Sequence, residues 1–244
     1  MENFKKAWKT FWAYVWECYK GSFLSGFTYV LAGAILMMLT IKDNVTWSTQ
    51  LTWVLVVCAC AIGYNVLVSY NYGGTNFEML ISGNMKRMSA GYGQEYKISS
   101  HSYVKEYRPW KGFVMGAFAS GFAVIFGILF GIFQEQIDVS LSGEIQDKGV
   151  GVVVLLGFFL SGWSVLPFYC ANMWGMGASY WLSLIMAIIP VAVTGATYIW
   201  GAYAKRGKIT REQELADRAA KAQENKPKKI NYGGLPGTKP KKKK

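Results

Sequence analysis

The chain has 244 residues, 52% of them hydrophobic and 16% charged, with 10 Trp, 15 Tyr and a formal net charge of +12. That is too apolar for an ordinary soluble domain of this length, which argues against a water-soluble globular enzyme. The apolar residues are gathered into five blocks of about 20 that lack Asp, Glu, Lys and Arg, the length a helix needs to cross a hydrocarbon core of about 30 Å. The sequence therefore predicts an all-α polytopic integral membrane bundle of about five transmembrane helices.

Residues 1–20 place Trp8, Phe11, Trp12, Val15 and Tyr19 at helical spacing, with Lys9, Glu17 and Lys20 among them. The charges interrupt any signal-peptide core, and the pattern suits an amphipathic helix lying in the membrane interface. The transmembrane bundle follows over 21–203. Its first span is 22–41; the connection 42–50 carries Lys42 as its only cation and an isolated sequon at Asn44, too near the membrane for a comfortable glycan acceptor. Four cysteines, Cys18, Cys58, Cys60 and Cys170, fall in or beside apolar segments, as buried thiols do and disulfide frameworks do not.

The second span, 51–71, contains Cys58 and Cys60. With Met37, Met38, Met173 and Met176 their composition would suit copper(I). Two cysteines two apart point about 200° away from each other on a helix, so they read as apolar filler, and neither a metal nor any cofactor is expected. The exit from this span, Asn65 to Asn76, is polar and broken by Gly73 and Gly74. Such a break could line a solute pathway, with Asn65, Asn71 and, from the last span, Thr194 as its candidate residues; the alternative is a helix end stopped by glycine.

The connection 72–111 ends in a run where Lys97, Lys105, Arg108 and Lys111 alternate with Tyr96, Tyr103, Tyr107 and Trp110. Lys97, Lys105, Arg108, Trp110 and Lys111 are the candidate lipid- or partner-contacting set: each cation near an anionic membrane surface is worth about 1 kcal/mol, and the aromatics fit the headgroup layer. Beside a membrane, lipid explains this composition more simply than nucleic acid does. The only histidine, His101, lies here, and Pro109 marks the start of the third helix.

In the third span, 112–133, Gly112, Gly116 and Ser120, then Gly127 and Gly131, recur every four residues. Small residues at this spacing let lipid-embedded helices approach closely, within the chain or in a homo-oligomer. The fourth span is 150–170 and the fifth 181–203, with Pro190 and Gly195 as candidate hinges. Residues 204–244 form a basic tail in which Thr210 and Gln213 match a capping box for a short helix reaching about Glu224, followed by a disordered segment.

Charge sets orientation and creates a conflict. Ten cations lie in 1–20 and 72–111, and the intervening loops carry few, so both segments are expected in the cytoplasm, with the plasma membrane as host. Three further spans would put the tail outside, although residues 205–244 hold 14 Lys or Arg against four acids. Either five plain spans override the charge bias, or the last block breaks at Pro190 and Gly195 into a re-entrant hairpin. The spans contain no Asp, Glu, Lys, Arg or His, so an enzyme or proton pump is not expected. The sequence points to an accessory or scaffold component that contacts anionic lipid or a protein partner. The alternative is a small channel or transporter.

Overall fold

The computed structural model describes residues 2–41, 45–90, 103–141 and 148–224. Lys97, His101, the sequon's Asn44 and the end of the tail lie outside them. The described residues form an all-α bundle, 93% helical with no strand among them. Its helices are α1 (Glu2–Thr40), α2 (Trp47–Ala90), α3 (Pro109–Ala119), α4 (Gly121–Ile132), α5 (Gln134–Leu141), α6 (Lys148–Met173) and α7 (Ser183–Glu224). Four of these are long and apolar enough to cross a membrane; the pair α3–α4, bent by 47°, passes the same test jointly. This is a multi-pass membrane protein.

α1 is one continuous helix with no break near residue 20. Its buried face, Tyr14, Cys18, Ser22, Ser25, Tyr29, Ala32, Leu36 and Thr40, recurs every three or four residues and packs on α2, α3 and α6. The aromatic residues expected to lie flat, Trp8, Phe11, Trp12 and Tyr19, are on exposed faces of the same rod.

Two expected breaks are absent. α2 runs straight through Gly73 and Gly74, so the first part of the 72–111 connection is helix. These glycines do not stop the helix; they let it approach a neighbour. A Cβ on Gly73 would collide with the carbonyl oxygen of Tyr198, and one on Gly201 with that of Tyr70, so α2 and α7 cross backbone to backbone. α7 likewise continues through Pro190, whose missing N–H costs one internal hydrogen bond without ending the helix. The alternative, a re-entrant hairpin at Pro190 and Gly195, is not formed: Pro190 packs its carbonyl on Gly116, and Gly195 faces the Phe113 ring.

The bends occur elsewhere, at Ser-Gly pairs, where kinks are favoured. Ser120 (φ −90°, ψ 2°) separates α3 from α4, and Ser161 (φ −134°, ψ 17°) interrupts α6. Each bend rests on a glycine of α1: Gly26 faces Ala119, and Gly33 meets the Gly162 backbone. A Phe-x-Ser-Gly-aromatic run stands at 23–27, 118–122 and 159–163, and α1 alone stays straight through it.

The bundle has two distinct ends. At one, Tyr14, Glu17, Tyr72, Glu78, residues 103–111 and Lys205 come together. At the other, Gln50 bridges the Thr40 carbonyl and the Trp174 indole, and Asp138 is within 3.5 Å of both Asn172 and Tyr180. The chain from Arg206 onward forms a separate unit, helical as far as it is described, to Glu224, and largely exposed over 206–221. Thr210 does not cap that helix; it lies inside it, its hydroxyl donating to the Arg206 carbonyl.

Candidate functional site

Besides the Gln50 and Asp138 contacts at the opposite end, polar and charged groups among the described residues gather at the end holding residues 103–111 and in the centre. At that end the chain makes a 3-10 turn at Tyr103–Lys105 and enters α3 at Pro109. Proline forces the preceding Arg108 into an extended conformation (φ −145°, ψ 128°) and needs no donor partner at the first helical position. The reversal brings Lys111 back beneath the turn. Its ammonium donates to the Val104 carbonyl and, at 2.7 Å, to the Glu106 carbonyl, and it lies 5.4 Å from the centre of the Tyr14 ring.

Lys111 is 1% exposed. This corrects its expected role as a surface lipid contact: its charge is used to staple the turn to α3. Arg108 is half-buried, donating to the Tyr103 hydroxyl at 2.9 Å and lying 4.6 Å over the Tyr14 ring. Trp110 remains 43% exposed with its ring against Tyr14, and Lys105 is exposed. Of the five expected contact residues, then, Lys105 and Trp110 face outward, Arg108 does so in part, Lys111 does not, and Lys97 lies outside the described residues.

Aromatic rings join this turn to three helices. Tyr107 donates its backbone N–H to the Asn76 carbonyl and stacks on Tyr198 at 5.4 Å; the Tyr198 hydroxyl accepts from the Asn76 side chain at 2.9 Å. Burial pushes the Tyr107 phenol above its ordinary pKa, with Tyr203 adding to the shift. Tyr72 donates to Glu17 at 3.0 Å, and Glu78 pairs with Lys205. Sequence reading missed Glu17, Glu78 and Tyr198 as parts of one cluster. The i, i+4 spacing of Tyr72 and Asn76 was the available signal, and it was hidden by treating 72–111 as a loop.

In the centre, Asn65 is fully buried. Its amide nitrogen donates to the Tyr29 hydroxyl at 3.1 Å and to the Thr194 hydroxyl at 2.9 Å, and its oxygen accepts from Ser69 at 3.1 Å. α1, α2 and α7 are thereby linked by neutral groups bonded to one another. Asn71 does not join them: it is exposed, one and a half turns along α2 from Asn65, with its carbonyl accepting from Thr75.

The small residues of α3 and α4 face α7. A Cβ on Gly112 would meet Tyr198, on Gly116 Val191, on Gly127 Ser183 and Leu184, and on Gly131 the Trp181 ring. Ser120 turns its hydroxyl to the Ala117 carbonyl at the bend. Cys58 points its thiol at the Trp163 carbonyl, 3.7 Å away, while Cys60 is exposed, so the two share no site. Among the described residues no three His, Cys, Asp or Glu side chains converge. No family model, no curated protein and no solved structure matches the chain.

Proposed function

We infer that this multi-pass membrane protein acts without a catalytic centre, as an accessory or scaffold component whose basic end and tail engage anionic lipid or a protein partner. The observation that carries this reading is the segregation of charge. Lys5, Lys6, Lys9, Lys20 and Lys105 are exposed on the segments that meet at one end, and Lys205 leads from that end into the tail. The Asn65 cluster in the centre is built of amide and hydroxyl groups bonded to one another. Deleting residues 206–244 from the tagged protein and purifying it in mild detergent tests the scaffold role. Loss of a copurifying partner is the expected result, and an unchanged set of copurifying proteins overturns it.

A second reading, a small-solute or ion pathway, is favoured by the two bends at Ser120 and Ser161, since helices broken at membrane depth often border transport sites. It requires Asn65 and Thr194 to line a hydrated route. Flux into proteoliposomes that persists in Asn65→Leu and Thr194→Val variants would remove it.

A further inference from the structure

We propose that α6 is a re-entrant hairpin folded at Ser161, so that the chain crosses the membrane four times and its basic tail leaves on the same side as residues 1–20 and 103–111. Three observations converge on this. First, the Phe158 and Tyr169 rings lie 4.6 Å apart, centre to centre. Eleven residues of straight helix would separate their backbones by about 16 Å, more than two side chains can span to make that contact. The halves of α6 are turned toward each other.

Second, both halves point to the end opposite the basic turn. The half after Ser161 finishes at Met173, beside Trp174, whose indole donates to Gln50 at 2.7 Å. The half before it packs on residues that lead to the same end. Phe158 meets Phe130 at 5.8 Å, Phe130 meets Tyr180 at 5.5 Å, and Tyr180 is within 3.5 Å of Asp138. Gly157 rests on the Phe130 ring.

Third, the chain is too short for the alternative. α5 sits at that same end through Asp138 and finishes at Leu141, and α6 starts at Lys148. Seven fully extended steps span at most about 25 Å, less than the roughly 30 Å of hydrocarbon that a crossing helix would have to start beyond.

Four crossings dissolve the charge conflict. α3–α4 leads away from the basic end and α7 leads back to it, because Gly131 faces Trp181 at one end and Gly112 faces Tyr198 at the other. Glu135 and Asp138 then lie on one side, and residues 1–20, 103–111 and Lys205, from which the tail departs, on the other, as the positive-inside bias favours. The short hairpin sits with its tip at the Gly33 backbone, where the broken helix is enclosed by protein rather than lipid.

The experiment uses the full chain in sealed vesicles of both orientations, with Cys18, Cys58, Cys60 and Cys170 replaced by alanine and single cysteines then introduced as Lys9→Cys, Lys148→Cys, Met176→Cys and Lys208→Cys and probed with a membrane-impermeant maleimide. A re-entrant α6 predicts that positions 148 and 176 label from one face and positions 9 and 208 from the other. A straight α6 predicts instead that 148 and 176 label from opposite faces, as do 9 and 208, and that result overturns the proposal. A compartment-specific reporter fused after Lys244, compared with the same reporter fused before Met1, reads the outcome without any internal substitution: the same compartment supports four crossings, and different compartments overturn them.

Discussion

Lys111 and Asn65 show how single side chains are used when a polar group must be placed in an apolar bundle. The Lys111 ammonium donates to two carbonyls of the turn that precedes its own helix. A hydrogen bond involving a charged group contributes about 1.5–3 kcal/mol net, and its removal strands the partner. Lys111→Met is therefore expected to lower stability by about 2–3 kcal/mol, seen as earlier unfolding in detergent micelles. The exposed Lys105→Met should stay within about 0.5 kcal/mol of the parent. If the two variants unfold alike, Lys111 is not the staple described. Asn65 is tied to Tyr29, Ser69 and Thr194, contacts that within membranes average about 0.6 kcal/mol each. Asn65→Leu should cost about 1–2 kcal/mol on that scale, and combining it with Thr194→Val should cost clearly less than the two separate losses added together, because they share a partner. Additive losses would mean the two residues act apart. Sequence alone singled out Lys111, Asn65 and Thr194 by type, yet the direction each side chain takes depends on elements up to 129 residues away in the chain.

Helices of this protein are positioned by glycines that act through what they lack. Gly73 and Gly201 permit α2 and α7 to touch along their backbones, whereas Gly63 in the same helix has open space around it. Gly73→Ala and Gly201→Ala should each lower stability by about 1–3 kcal/mol, the range for overpacking a close contact; Gly63→Ala should leave stability unchanged or slightly raised, because alanine favours helix. Equal effects at all three positions would argue against the crossing. A glycine in a helix signals either a stop or a close neighbour, and periodicity along one segment does not distinguish them. The same ambiguity explains Pro190 and Ser161. Proline drew attention as the breaker, yet its lost hydrogen bond is tolerated in a packed helix. The sharper bend falls at an unremarkable Ser-Gly pair, where Ser161 turns its hydroxyl to the Gly157 carbonyl.

For the molecule as a whole, the tail dominates the electrostatics: residues 206–244 carry thirteen Lys or Arg against four acids, most of the chain's net +12. Protein reconstituted in neutral liposomes should recruit anionic vesicles, and the recruitment should fall between about 0.05 and 0.5 M salt as the screening length shrinks below 10 Å. The chain ending at Lys205 should recruit them weakly at any salt. Recruitment that ignores both salt and truncation would leave the tail without an electrostatic role. Composition and block length by themselves determined that this is a helical multi-pass membrane protein with its charge outside the apolar segments, because hydrocarbon accepts only helices of sufficient length whose backbones are internally bonded. Tertiary structure alone decided which glycines pack and which helix folds back, and it turned Lys111 inward and gathered residues 14, 72, 108 and 198 at one end. These outcomes depend on which helix lies alongside which, and contacts between segments more than a hundred residues apart leave no periodic trace in either segment.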